Sequence, residues 1–167
     1  MDGSVHIGII PAHRSSQSLV YANLFTETML LYCGARHPLF GQDHAGLDWD
    51  SLRAWQFAGL GYHSPNMELS HGARLPRKAT GFDQESIATL ILSGRYLGFL
   101  PDHYAEAFER QGLMQAVQPA QFFYRCQFVS VLRRSPQPPR AAQAFAQCLL
   151  EAHLTASNAN GSDDRGR

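Results

Sequence analysis

Leu90–Tyr104, LILSGRYLGFLPDHY, decides the fold. It reads as the end of a helix, a glycine stop, a short apolar strand and a proline-started second helix. Ile87, Leu90 and Ile91 fall on one face at helical spacing. Asp83 stands where a carboxylate caps the helix start. Gly94 stands where the left-handed backbone conformation closes it. Tyr96–Leu100 is short and apolar, as a buried strand requires. Pro101 then opens a helix from a first-turn position. Asp102 sits in that first turn, where negative charge is favoured. Gln111-Gly112 ends it.

The same alternation extends in both directions. Upstream, Val5–Ile10 reads as a buried strand ended by Pro11, and Ala12–Ser18 as a loop. Thr28–Cys33 is a second buried strand, closed by Gly34 and followed by a His37-Pro38-Leu39-Phe40 turn. Trp49–Trp55 predicts a short helix, with Leu52 and Trp55 on one face. Gln56–Tyr62 predicts a strand running into a loop at His63-Ser64-Pro65. A short helix is expected around Met67–Gly72 and a strand at Lys78–Gly81. Downstream, Phe122–Leu132 is a long strand with Phe122, Tyr124, Cys126 and Phe128 on one face. Pro136, Pro138 and Pro139 mark a linker, and Ala141–His153 a helix. Ser157–Arg167 has the composition of a disordered tail. Strands alternating with helices predict an α/β fold, whose ligands gather beyond the carboxyl ends of the strands.

Composition narrows the function. The chain has 167 residues, enough for one domain or two small lobes. Lys plus Arg and Asp plus Glu number 14 each, so the formal net charge is zero. A DNA-holding domain normally carries a basic excess, and none is present. The three cysteines, Cys33, Cys126 and Cys148, share no close spacing, which excludes a CxxC zinc site and predicts reduced thiols in a cytoplasmic protein. Cys33 and Cys126 lie in apolar runs and read as core residues. No apolar run reaches membrane-spanning length. Eight histidines show no HExxH spacing, so no metal or cofactor is expected. His6, within a strand, reads as a packed core histidine, and His37 as part of its turn.

Several segments, in order, resemble the effector-sensing domain of LysR-type bacterial transcription regulators. GSVHIGII (Gly3–Ile10) is similar to a first-lobe strand. LFTE (Leu24–Glu27) and MLLYCGARHPL (Met29–Leu39) resemble the entry to the second lobe with its His-Pro-Leu turn. IATLILSGRYLGFLP (Ile87–Pro101) resembles the family's helix, glycine turn and strand ending in Leu-Pro. Arg125–Leu150 resembles the return strand and final helix.

The resemblance implies a two-lobed, periplasmic-binding-protein-like α/β domain with a small-molecule cleft. It places residues 1–24 as a remnant of the first lobe, 25–118 as the second lobe, 119–155 as the return to the first, and 156–167 as the tail. Hinge crossings fall near Asn23–Phe25 and Gln118–Ala120. The family's opening strand–helix–strand–helix block and its helix-turn-helix have no counterpart before Gly3, so the first lobe is expected to be incomplete and the chain N-terminally truncated. The implied function is effector sensing and oligomerisation, with promoter DNA held only through that N-terminal helix-turn-helix.

The resemblance also selects site residues. Tyr62, His63 and Ser64 match a cleft-facing loop, although a turn before Pro65 explains the same residues. Thr80 and Gly81 precede the Asp83 helix, where amides at a helix start favour a carboxylate, although plain capping also accounts for Thr80. Phe99 and Pro101 match the cleft-edge strand and turn, with a structural task for Pro101. Asp102 and His103 are adjacent and face different ways, so capping and solvated surface explain them better than chemistry. Arg14 with Ser15-Ser16 offers an anion site or a solvated loop. An enzyme on a related scaffold would need a nucleophile–base motif, and none is visible. A transport-type solute-binding protein would need a signal segment, and MDGSVHIGII is not one.

Overall fold

The computed structural model describes residues 5–12, 15–61 and 72–160, with side chains to His153. The chain divides into two compact units: residues 1–26 with 127–167, and residues 27–126. They are called unit 1 and unit 2 below. Two long strands, β2 (Leu19–Gly34) and β7 (Phe123–Arg133), each run from one unit into the other.

In unit 1, β1 (Ile7–Pro11) pairs antiparallel with β7, Ile9 opposite Ser130 and Pro11 opposite Phe128. β1 is the end strand of its sheet. This corrects two expectations. Pro11 closes the strand from inside it, which an edge tolerates because the missing N–H is not needed there. The strand is also not buried: Ile9 and Ile10 are exposed. An apolar run reports the affinity of its side chains for a core, not whether an element lies over them. His6 falls outside the strand and is exposed rather than packed. Phe25 stacks on Phe128 (5.0 Å between ring centroids) and meets His153 of the last helix, α4 (Arg140–Asn160), at 4.9 Å. That helix runs through Asn160, past Ser157 where composition predicted disorder; Ala156 and Ala159 favour its continuation.

Unit 2 is a sheet covered by helices. β3 (Phe57–Leu60) lies between β4 (Arg77–Gly81) and β5 (Leu97–Pro101), parallel to both. β2 pairs antiparallel with β5 and with β6 (Met114–Ala116). α1 (Trp49–Leu52) is shorter than the predicted helix and is capped by Asp48, which accepts from the Ser51 amide at 2.7 Å. α2 (Gln84–Leu92) follows the sequence reading closely. Asp83 accepts from the Ser86 amide at 2.7 Å, Ile87 and Ile91 are buried, and Gly94 follows the last turn at φ +76°. Ile87 and Ile91 pack into the space that Gly98 leaves bare, so β5 and α2 approach closely. Pro101 is the last residue of β5 and the N-cap of α3 (Asp102–Arg110), one position earlier than expected; its φ of −58° suits both elements.

The first half of one strand and the whole of another were not foreseen. β2 begins at Leu19, nine residues before the predicted start, because its first half is part-exposed and shows no clean alternation. β6 has three residues, too few to carry a pattern. The helix expected around Met67–Gly72 lies outside the described residues, apart from Gly72.

Candidate functional site

The three parallel strands β3, β4 and β5 point their carboxyl ends the same way. In an α/β sheet that end gathers loops and helix starts, and ligands bind there. Leu60 registers opposite Gly81, and the Gly61 amide donates to the Gly81 carbonyl at 2.8 Å. Beside them is a shallow recess lined by Phe57, Ala58, Gly59, Leu60, Ile87, Phe99 and Tyr124, with about 10 Å³ of enclosed space. The Phe99 ring stands edge-on between Phe57 and Tyr124, with centroids at 5.9 and 5.1 Å. Edge-to-face packing of this kind fixes ring orientation.

The expected site residues divide. Phe99 lines the recess and Gly81 adjoins it. Gly81 leaves no room for a side chain, since a Cβ would stand 2.9 Å from Ser86 Cβ. Thr80 is exposed opposite Gly59. Pro101 is fully buried opposite Met29 and does not line the recess. Tyr62, His63 and Ser64 lie outside the described residues, as do His71 and Arg14.

The sequence reading missed three residues here. Arg77 begins β4, yet its side chain runs along the strand and its Nη1 donates to the Leu60 carbonyl at 3.0 Å. Phe82, between Gly81 and the capping Asp83, is 75% exposed. Tyr124 contributes from β7. The available signal was the Gly59-Leu60-Gly61 spacing, which leaves one face of a strand bare at two successive positions. The Asp83 carboxyl is held below its ordinary value by the Ser86 hydroxyl and amide. It is therefore a fixed negative charge at the start of α2.

The other titratable groups are structural. Cys33 is fully buried, its thiol pushed up to about 12 by burial, and it is no nucleophile at neutral pH. His37 is buried against Trp55 (5.0 Å); its Nδ1 accepts from the Leu39 amide at 3.2 Å, and burial lowers its pKa. Its place in the turn is therefore structural. Asp102 accepts from the His103 amide at 2.7 Å, and His103 is mostly exposed. Among the described residues no cluster of three or more His, Cys, Asp or Glu is arranged to hold a metal. No described helix is long and apolar enough to cross a membrane.

A mixed sheet whose parallel strands open onto loops and a helix start is an α/β architecture on which ligands bind. The chain belongs to the LysR substrate binding domain family, which it matches over residues 1–154. Its fold is the mixed, periplasmic-binding-protein-like α/β fold of LysR regulatory domains. The chain is 28% identical over 149 residues to the HTH-type transcriptional activator BauR of Pseudomonas aeruginosa, covering 89% of this chain and 49% of that protein. The chain thus spans about half the length of that relative.

Two solved structures share the fold. The effector domain of AmpR from Pseudomonas aeruginosa has a TM-score of 0.70 at 13% identity, over 93% of this chain and 76% of that one. The regulatory domain of CcmR from Synechocystis, solved with 2-PG, has 0.68 at 14% identity, over 91% and 75%.

Proposed function

We propose that this chain senses a small-molecule effector at the carboxyl-end face of unit 2. The aromatic recess that β3 and β5 line, beside the parallel β4, carries the reading. Phe99 and Gly81 belong to that face, with Thr80 at its margin. Tyr62, His63 and Ser64, next in the sequence after β3, are proposed to contribute to the same site, with Pro101 as a buried support at the end of β5. The segment 25–118, taken as the second lobe, supplies this wall. A recess this shallow encloses little of a ligand, so a second wall is needed for tight binding.

In a complete regulator the bound effector would act as a population shift. It favours one arrangement of a homo-oligomer by as much as its affinities for the two arrangements differ. Promoter DNA would be held by a helix-turn-helix outside this chain, in the cytoplasm. The zero net charge agrees with a domain that does not itself grip a polyanion.

A thermal-shift screen of the chain with small acids, amines and aromatics tests the reading. A ligand at a hundred times its Kd stabilises by about 2.7 kcal/mol. The expected result is a shift that Phe99→Leu reduces. A shift that survives Phe99→Leu and Gly81→Ala unchanged would place binding elsewhere. In parallel, salt-sensitive and sequence-specific retardation of promoter DNA by the purified chain would refute its DNA-free role.

A further inference from the structure

Gly59 and Gly61 lie two apart and leave the same side of the chain bare. A neighbouring side chain leans over each. A Cβ at Gly59 would stand 2.9 Å from Arg77 Cδ, and one at Gly61 would stand 2.6 Å from Phe82 Cε1. The Arg77 stem therefore crosses the strand over Gly59, beside the Phe57 ring, and its guanidinium reaches the Leu60 carbonyl. That bond uses one of five donors. The Phe82 ring rests against the glycine beside it and otherwise faces solvent, 75% exposed. A phenyl ring left in water forgoes the free energy of burial. Held on a bare glycine, it forms a platform with one side open. Cation and platform are anchored on consecutive residues, Leu60 and Gly61.

We propose that the effector is a planar aromatic carboxylate, its ring laid on Phe82 and its carboxylate paired with the Arg77 guanidinium. The proposal rests on the effector-binding reading above and names the ligand class for the edge of that face, at Leu60 and Gly61 beside the recess. The guanidinium fork matches a carboxylate, and an offset ring stack orients the rest. The start of α2 is the poorer place for the anion, because the Asp83 carboxylate already occupies it and accepts the Ser86 amide. The proposal puts the anion at Arg77 rather than at the helix start. A neutral aromatic would keep the stack and lose the ion pair. A saturated carboxylic acid would keep the ion pair and lose the stack.

The test uses the whole chain and three probes: naphthoate, its neutral amide, and cyclohexanecarboxylate, titrated by calorimetry. Naphthoate is expected to bind on the order of tenfold more tightly than either of the others. Arg77→Met keeps the stem over Gly59 and should abolish the preference for naphthoate over its amide. Phe82→Ala, at an exposed position, should abolish the preference over cyclohexanecarboxylate, and Phe82→Tyr should restore it. Wild-type discrimination in both Arg77→Met and Phe82→Ala overturns the proposal, as does the absence of discrimination in the wild type. Amines, sugars and phosphorylated acids are titrated alongside. One of these binding in place of naphthoate, and weakened by Phe82→Ala, discards the ligand class and keeps the site. No ligand responding to Phe82→Ala or to Phe99→Leu discards the site as well.

Discussion

β2 and β7 run through both units, yet the two units bury their side chains differently. In unit 2, Leu31, Tyr32, Leu52, Ile87, Ile91, Leu97 and Leu100 are all fully buried. In unit 1, among the described residues, Ser130 alone is as fully buried; Leu24, Val129, Val131 and Ala146 are nearly so, while Val5, Ile9, Ile10, Val20 and Phe145 are exposed. The strand residues have the same affinity for a core in both places. What differs is the covering: α2 packs on β3, β4 and β5, whereas β1 ends its sheet. Burial is thus a property of the neighbours, and substitutions of like chemistry should cost different amounts in the two units.

The widest gap is expected between Leu100→Ala and Ile9→Ala. Leu100 is fully buried in the central part of unit 2 and Ile9 is 46% exposed on the edge strand. Removing a buried leucine costs about 2–5 kcal/mol through lost transfer energy and the cavity left behind. An exposed isoleucine on an edge should cost under about 1 kcal/mol. Urea unfolding of the two variants measures the difference directly. Equal losses would mean that β1 is covered in solution, and the contrast between the units would fall.

Glycines give a second comparison. A methyl group at Gly34 would collide with the Ile91 carbonyl oxygen, a backbone atom that moves only with all of α2. Gly34→Ala should cost about 1–3 kcal/mol. A methyl group at Gly8 meets nothing closer than Ile10 Cγ2 at 3.8 Å. Gly8→Ala should be neutral or stabilise by up to about 1 kcal/mol, because glycine loses most entropy on entering a strand. Circular-dichroism melts of both proteins rank them, and a Gly8→Ala loss as large as that of Gly34→Ala would contradict the open edge.

This contrast also explains what the sequence carried. α2 was legible because its determinants are local: a cap at Asp83, apolar residues at helical spacing and a stop at Gly94. β1 was recognisable as a strand and misread as buried, since its neighbours are set by tertiary pairing. The first half of β2 escaped because partial exposure blurred its pattern. Phe99 and Gly81 stand at positions that the family resemblance picked out as candidates. Arg77 and Phe82 do not, because their roles depend on the register that sets β4 beside Gly59 and Leu60. Two glycines at alternate positions hint at a bare strand face; only the folded sheet says what lies across it.

A third change probes the polar side chain in the core of unit 1. Ser130 is fully buried and its hydroxyl has no hydrogen-bond partner among the described residues. An unsatisfied hydroxyl loses its hydration without compensation. Ser130→Ala should therefore stabilise the protein by about 1 kcal/mol, read as a higher urea midpoint at unchanged slope. A destabilised variant would reveal a partner for the hydroxyl in solution, and unit 1 would then be better satisfied than its burial suggests.

The smallest effect is expected at Glu27, where β2 enters unit 2. Its side chain is 14% exposed, Oε2 has no hydrogen-bond partner among the described residues, and Oε1 lies 3.8 Å from His103 Nε2. Burial raises its pKa above the ordinary 4.5; the His103 charge opposes this and the Asp102 charge adds to it. The native carboxyl thus keeps its proton to higher pH than the unfolded one. Between 4.5 and the raised value the folded chain binds more protons, so stability falls as pH rises through that window and stays lower above it. Glu27→Gln removes the ionisation and should be the more stable protein at neutral pH. Solvent at this margin screens the effect, which should stay under about 1 kcal/mol. The advantage should vanish below the unfolded pKa, where both side chains are neutral. Urea midpoints of the two proteins at about pH 4 and about pH 7.5 separate the outcomes. A wild type that is the more stable at neutral pH would mean that His103, protonated, holds the Glu27 carboxylate as a true ion pair, and that the burial cost of unit 2 begins further along β2.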